Sequence, residues 1–172
     1  MHDNFAHFCN ILALLSVIGK ESSKEIIYIM NNKSKTNKNK LVLDVYEQPI
    51  YIPNKVYVLK NYTQKDIDKY FEYADGDSIN LKDMNEFKAL TISGCVEKKT
   101  GRYCIIVLLS EALVTEFKKD ILEGVSVCAH EAFHSAFRIL EWCHINLAEE
   151  SEETYAFLTG WITSCVFKTL KK

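Results

Sequence analysis

Apolar residues cluster as in strands in the middle of the chain and recur at helical spacing towards its C-terminus. Residues 41–46 and 50–59 are rich in β-branched and aromatic side chains, which favour strands. Pro49 and Pro53 interrupt this region, and a proline cannot donate a ladder hydrogen bond. We therefore expect two strands here, bent or at the edge of a sheet.

A short helix is predicted to follow these strands. Thr63 is a good N-cap, and apolar residues recur at helical spacing over residues 64–73. The triplet Asp75-Gly76-Asp77 comes next and lacks the ligand spacing of a calcium-binding loop. It is expected to be a turn.

Residues 89–110 have the pattern of a β-hairpin. The predicted arms are residues 89–93 and 103–109, with the bend at residues 98–101. The second arm is almost continuously apolar, as in a strand that is buried on both faces. Cys95 and Cys104 flank the bend and could face each other across the hairpin, which makes them the first candidates for a disulfide in an otherwise reduced chain.

Two longer helices are predicted after the hairpin. Asp120 and Glu123 form a capping pattern at the start of the first helix, which should run to about Cys143. Residues 144–146 are the predicted break. The second helix should begin near residue 147 or 151 and end near Lys168, where lysines complement the helix dipole.

The first 40 residues differ from the rest. Residues 5–19 (FAHFCNILALLSVIG) are mostly apolar but shorter than the about 20 residues of a membrane span. They lack the preceding basic residues of a signal peptide, so a buried helix is expected, with a secretory signal as the alternative. Residues 31–40 carry four lysines and no apolar residue, which is typical of a linker. We therefore predict an N-terminal helical appendage over 1–40 and a main domain over 41–172.

Composition and charge narrow the possible functions. The chain has 172 residues, of which 48% are hydrophobic and 26% charged, an ordinary profile for a globular domain. Its net charge is −2 and its pI about 6.2, so neither a nucleic-acid nor an anionic-membrane partner is expected. The six cysteines include no CxxC pair, and three of them, Cys128, Cys143 and Cys165, lie in predicted helices. A reduced, cytoplasmic protein is expected rather than a secreted one.

The clearest chemical signal is the segment His130-Glu131-Ala132-Phe133-His134. Histidines four residues apart on a helix project from one face, so both imidazoles can reach one ion. A zinc ion with three protein ligands keeps one position for a water molecule and lowers its pKa to about 7. Glu131 is offset by about 100° from His130, beside the metal rather than on it, where it can accept a proton from that water.

The neighbours of this motif support a metal. Residues 125–140 form a strongly apolar helix, and most of the apolar side chains are predicted to be buried; these are Val125, Val127, Ala129, Phe133, Ala136, Phe137 and Leu140. Three ionisable side chains in such a helix are costly to bury unless they share a partner. A zinc ion is the partner that satisfies all three.

A third ligand is expected from the following helix. His134 lies about nine residues, roughly 14 Å, before the predicted end of its helix, so an antiparallel helix reaches the same level near residue 153. Glu153 is the first choice because apolar residues share its face, namely Ala156, Phe157 and Gly160. Glu152 is the second choice. Glu149, one turn earlier, is a candidate hydrogen-bond acceptor for a ligand.

The motif followed by Glu153, 19 residues after His134, resembles the gluzincin branch of the HExxH metallopeptidases. Residues 153–161 (ETYAFLTGW) also resemble small HExxH proteins of tailed bacteriophages. The resemblance covers roughly residues 41–170 and is specific over 125–161. It implies a minimal zincin of the α+β class, in which a small mixed or antiparallel sheet packs on a motif helix and a glutamate helix. An edge strand of such folds often holds the substrate as an added strand, a role that the hairpin could supply.

Other residues near the motif do not fit metal ligation. A metzincin would have glycine at position 137 and histidine at position 140, where this chain has Phe137 and Leu140. His144 lies roughly 15 Å beyond His134 along the helix, too far to share the ion. Arg138 is expected to pair with a glutamate and Tyr155 to lie in the core, so no residue is assigned to oxyanion stabilisation.

The sequence thus predicts a zinc-dependent hydrolase, in particular a metallopeptidase acting on a protein or peptide, with Glu131 as general base and His130, His134 and Glu153 as ligands. Two alternatives remain open. One is a catalytically inactive zincin-like binding module with a structural zinc. The other is a helical protein in which the motif holds no metal.

Overall fold

A computed structural model describes residues 40–82 and 86–172. The predicted N-terminal helix lies outside the described residues, as does the predicted linker except for Lys40. The described residues form an α+β fold, as predicted. A five-stranded mixed sheet packs against the helix that carries the HExxH motif and against the C-terminal helix.

The sheet has the order β1-β2-β5-β4-β3. Strands β2 and β5 are parallel, and the other three neighbouring pairs are antiparallel. The strands are β1 (Val42–Glu47), β2 (Lys55–Lys60), β3 (Phe71–Tyr73), β4 (Ala89–Glu97) and β5 (Arg102–Leu109). The central position of β5 explains its continuous run of apolar residues, because its two faces are covered by different parts of the core.

The helices are α1 (Gln64–Tyr70), α2 (Glu111–Phe117), α3 (Ile121–Trp142) and α4 (Glu152–Lys171), with a 3₁₀ turn at Glu149–Ser151. Helices α3 and α4 cover one face of the sheet, together with α2. Helix α1 covers the opposite face, where Ile67 and Phe71 are fully buried. None of the helices in the described ranges is both long and apolar enough to cross a membrane.

Local capping signals predicted the helix starts well. The Thr63 side chain accepts a hydrogen bond from the Asp66 backbone, and Asp66 returns the bond in a capping box. The Asp120 side chain accepts from the backbone N–H groups of Leu122 and Glu123 at the start of α3. These contacts satisfy backbone donors that have no partner inside the helix.

Three parts of the fold differ from the sequence prediction. The strand predicted over 50–59 begins only at Lys55, after Pro53, and it lies between β1 and β5 rather than at an edge. The helix predicted over 64–73 ends at Tyr70, and residues 71–73 form β3 instead, paired with Cys95–Glu97 at the end of β4. Phe71 is 1% exposed, so burial of its ring against Tyr57 favours the strand. Helix α2 was not predicted; Ser110 caps it by accepting a hydrogen bond from the backbone of Leu113.

The predicted hairpin of β4 and β5 is confirmed, and it carries a β-bulge. Cys95 lies directly opposite Cys104, as expected, and both are free thiols. Burial raises the pKa of the Cys95 thiol to about 12, so it stays protonated at neutral pH. The ladder shifts register between Ile92 and Cys95, where Gly94 has φ +72°.

Helix α3 ends at a residue in the left-handed conformation. His144 has φ +59°, the backbone of Ile145 donates to the carbonyl of Leu140, and that of His144 donates to the carbonyl of Glu141. This pair of hydrogen bonds is a Schellman motif, whose left-handed position is usually glycine. The predicted break at residues 144–146 is therefore confirmed.

Two helical glycines give a matched test of packing. A Cβ at Gly124 in α3 would overlap Cδ2 of Phe117 and lie 3.2 Å from its Cγ, whereas a Cβ at Gly160 in α4 meets nothing within 4 Å. Alanine is favoured over glycine in a helix by about 1 kcal/mol, but overpacking a buried ring costs about 1–3 kcal/mol. We expect Gly160→Ala to stabilise the protein and Gly124→Ala to destabilise it, as measured by urea denaturation. Equal effects would contradict the packing of α2 against α3.

Candidate catalytic and metal-binding site

His130 and His134 form a close pair on the outer side of α3. Their Nε2 atoms are 3.0 Å apart, and their ring centroids are separated by 4.6 Å with the planes at 77°. Both residues are exposed. The spacing of four residues thus brings the two ring nitrogens together on one face, as predicted.

The distance between the two nitrogens fits both a shared zinc ion and a direct hydrogen bond. Two ligands that bind a tetrahedral zinc ion at about 2.0–2.1 Å lie roughly 3.3 Å apart. The observed 3.0 Å is close to that separation, so a small change in the ring torsions brings both atoms onto one ion. Without metal, 3.0 Å is also the distance of an N–H···N hydrogen bond between neutral imidazoles.

Glu131 points away from the histidines, towards the sheet. It is 6% exposed, and its carboxylate accepts a hydrogen bond of 2.7 Å from the hydroxyl of Thr91 in β4. The Ser135 hydroxyl donates to the Glu131 carbonyl at 2.9 Å. The glutamate is therefore fixed against β4 on one flank of α3, while the histidines occupy the solvent side.

The predicted burial of the motif is wrong in part. Ala136 and Leu140 are fully buried, but Ala129 is exposed and Phe133 is 43% exposed. The histidines share this exposed side, because α3 packs through the stripe that includes Cys128, Ala132 and Ala136. Because His130 and His134 are exposed, the cost of burying them gives no argument for a metal at this site. Their exposure leaves the pair open to ions and water.

Cys128, one turn before Glu131, is not suited to bind the ion. It is fully buried in the core. Burial raises the pKa of its thiol to about 12, and the nearby Glu131 carboxylate contributes to that rise. Because thiolate is the form that binds zinc, this thiol remains a neutral core group.

The structure does not bring Glu153 to the histidine pair. Its face of α4 was predicted to pack on α3, and that prediction is wrong: Ala156 and Gly160 are exposed and Phe157 is 70% exposed. The buried stripe instead includes Leu158 and Ile162, the latter about 180° around the helix from Glu153. Across residues 40–82 and 86–172, no three His, Cys, Asp or Glu side chains form a group that could hold a metal ion. Glu153 as third ligand remains a prediction.

Glu152, the second choice of ligand, and Glu149, the candidate hydrogen-bond acceptor, are also at the surface. Glu149 and Glu152 are both exposed, at the 3₁₀ turn and at the first turn of α4. Acidic side chains at a helix N-terminus are favourable without any metal, because they complement the helix dipole. Their position alone therefore does not favour one of them as ligand.

Three further predictions about the motif region are confirmed. Arg138 pairs with Glu141 at 2.9 Å. Tyr155 is 3% exposed, and its hydroxyl donates to the carbonyl of Ile145 at 2.9 Å, so it is a core residue. His144 lies at the exposed end of α3.

Thr91 is the site residue that the sequence prediction missed. It was assigned only to a hairpin arm. The available signal was its alternation with Ser93, which puts two polar residues on one face of a strand that is otherwise mostly apolar. A polar residue at such a position often serves a buried polar partner, here the Glu131 carboxylate.

Removing the Thr91 hydroxyl should destabilise the fold. Thr91→Val keeps the shape of the side chain but leaves the buried Glu131 carboxylate without its donor, which we expect to lower the free energy of unfolding by about 1–3 kcal/mol. Thr91→Ser retains the hydroxyl and is the control. In a double-mutant cycle read by urea denaturation, Glu131→Leu should abolish the effect of Thr91→Val. Additive effects would contradict this contact.

Comparison with known proteins identified no relative: no protein-family model matches the chain, and no significant match was found among curated proteins or solved structures.

Proposed function

We propose that this protein is a zinc-dependent hydrolase that cleaves peptide bonds. The observation that carries the proposal is the pair of exposed imidazoles whose Nε2 atoms are 3.0 Å apart, with Glu131 at the next helical position. The resemblance of residues 125–161 to HExxH metallopeptidases supports the same reading.

The roles of the residues follow from their positions. His130 and His134 would hold the ion through Nε2, and the remaining positions would be filled by water and one further ligand. Zinc bound there would supply Lewis-acid chemistry and lower the pKa of a coordinated water to about 7. Glu131 would turn from the sheet towards the attacking water, accept its proton and later donate it to the leaving amine. Thr91 holds the Glu131 carboxylate on the sheet side of the pair.

A peptide substrate is favoured by the free edge of β4. Strand β3 pairs only with Cys95–Glu97, so residues 89–93 have no strand partner on that side among the described residues. An extended peptide can add to such an edge through backbone hydrogen bonds. Thr91, which contacts Glu131, lies within this free edge. A peptide bound along this edge would lie beside Glu131, the proposed general base.

We also propose a cytoplasmic location, in the host cytoplasm if the gene belongs to a bacteriophage. Cys128 and Cys165 are buried as free thiols in the helical core, where they act as small hydrophobic residues. Free thiols persist in reducing compartments. The likeness of residues 153–161 to bacteriophage HExxH proteins supports the phage origin.

The second candidate is an inactive zincin-like module that binds a partner and uses zinc structurally. The observation in its favour is that Glu131 is 6% exposed and already accepts a hydrogen bond from Thr91. A general base needs access to the attacking water, and this carboxylate would have to turn outwards to provide it.

Hydrolysis of a mixed peptide library separates the two candidates. The purified protein is loaded with one equivalent of Zn²⁺, and new peptide termini are identified by mass spectrometry. A peptidase produces termini that disappear with a chelator and return with zinc. An inactive module produces none, but chelation lowers its melting temperature. Cleavage that persists in chelator would contradict both.

The third ligand is tested on the same protein. If Glu153 completes the site, Glu153→Ala should weaken Zn²⁺ binding by more than about 100-fold, beyond what the loss of an outer-shell partner costs. Glu152→Ala should leave the affinity unchanged, since its side chain leaves the helix at a different angle. The reverse result would assign the ligand to Glu152.

A further inference from the structure

An open groove runs along α3 beyond the histidine pair. Its volume is about 600 Å³, and it lies between the C-terminal half of α3 and the bulged part of the hairpin. Its walls include Ser93, Gly94, Tyr103, Arg138, Trp142 and His144.

The groove continues the flank of α3 that carries Glu131. Arg138 and Trp142 follow Glu131 at seven and eleven residues, which puts all three within about 40° of one another around the helix. On the sheet side, Ser93 follows Thr91 on the same face of β4. The general base and the groove therefore share one seam between α3 and β4.

The walls of the groove are suited to an uncharged aromatic or large apolar side chain. Trp142 is 47% exposed and Tyr103 is 39% exposed, with their ring centroids 4.5 Å apart. Arg138 and Glu141 pair at 2.9 Å, so these two opposite charges balance each other at the groove. A ligand with a net charge gains little from such a pair, whereas an apolar ring gains from both aromatic faces.

Two residues with unusual backbone conformations line the groove. The bulge at Ser93 and Gly94 bends β4, and a Cβ added at Gly94 would meet nothing within 4 Å. His144 has φ +59° where glycine is the usual residue, so a histidine at this position carries a conformational cost. Strained residues of this kind cluster at ligand sites.

We propose that this groove is a specificity subsite, which binds an aromatic or large apolar residue of the peptide that the proposed hydrolase cleaves. Arg138 lies roughly 10 Å from Glu131 along α3, and Ser93 roughly 7 Å from Thr91 along β4. These distances correspond to two or three residues of an extended chain. The selected residue is therefore two or three positions from the cleaved bond. This inference rests on the proposed function, because the position is counted from the bond that the proposed hydrolase cleaves.

The binding test needs neither zinc nor hydrolysis. The probe is N-acetylphenylalaninamide, and N-acetylglutamic acid amide is the charged comparison. The indole N–H signals of the two tryptophans and the amide signals of Ser93 and Gly94 are followed by NMR. The aromatic probe should shift Trp142, Ser93 and Gly94 but not Trp161. Equal shifts with the charged probe would overturn the subsite.

Three variants separate binding from folding. Trp142→Ala should weaken the aromatic probe at least tenfold, while Phe157→Ala, which removes an aromatic ring that is 70% exposed outside the groove, should not. His144→Gly should raise the melting temperature and still weaken binding of the aromatic probe several-fold. Unchanged affinity in both Trp142→Ala and His144→Gly would overturn the proposal.

The peptide library then shows how far the subsite lies from the cleaved bond. Cleavage sites should be enriched in aromatic or large apolar residues two or three positions from the cut, and Trp142→Ala should remove that preference. Cleavage without such a preference overturns the subsite and leaves the hydrolase. Aromatic binding without any cleavage overturns the hydrolase and leaves the groove as a ligand site.

Discussion

Replacing either histidine of the motif with alanine should abolish zinc binding. His130 and His134 present their Nε2 atoms 3.0 Å apart, and each is expected to supply one of the bonds to the ion. Loss of one bond should weaken Zn²⁺ binding by more than about 100-fold. That is more than the loss of a residue that only hydrogen-bonds to a ligand costs. Hydrolysis should be lost with the metal. The measurement is a competition titration against a zinc-chelating dye.

His144→Ala is the control for this prediction. It removes an exposed histidine near the end of the same helix but outside the pair, so zinc affinity should not change. Because both motif histidines are exposed, their replacement should cost little stability without metal. Equal zinc affinity in wild type, His130→Ala and His134→Ala would show that the ion binds elsewhere.

Glu131→Gln should remove hydrolysis while leaving the metal in place. General acid–base catalysis contributes about 10²–10⁴-fold, so kcat should fall within that range. The amide keeps the shape of the side chain and can still accept from Thr91, which preserves the fold. The measurement combines kcat on a cleaved library peptide with the zinc content of the same preparation.

Glu123→Gln is the matched control on the same helix. Glu123 pairs with Lys88 at 2.7 Å in the first turn of α3, and its side chain is 43% exposed. Neither kcat nor zinc content should change. Retention of wild-type kcat in Glu131→Gln would remove that residue from the mechanism and favour the binding module.

Features of the fold that depend on local chemistry were predictable from the sequence. The caps at Thr63 and Asp120 rest on side-chain contacts within three residues, and both are confirmed. The hairpin register, which brings Cys95 opposite Cys104, follows from the short bend. The continuous apolar run of β5 correctly indicated a strand buried on both faces.

Features that depend on distant contacts were not predictable. Residues 71–73 follow a helical pattern, yet pairing with β4 and burial of Phe71 place them in the sheet. Such tertiary contacts override local propensity. Helix α2 is only seven residues long, too short for its periodicity to stand out against the hairpin before it.

At the candidate site, spacing predicted which residues meet but not how the helices are rotated. Four-residue spacing was sufficient for the histidine pair. Apolar residues occur on more than one face of α4, so the sequence did not decide whether Phe157 or Leu158 packs inwards, and the wrong face was predicted to pack on α3. Thr91 comes from another element 40 residues away, and its contact with Glu131 appears only in the folded chain.

The most direct test of the zinc site is X-ray absorption at the zinc edge of the protein loaded with one equivalent of Zn²⁺. The expected spectrum shows two imidazole ligands at about 2.0–2.1 Å and oxygen in the rest of the shell. A shell with sulfur at about 2.3 Å, or one without imidazole, would contradict the assignment of His130 and His134 as the ligands.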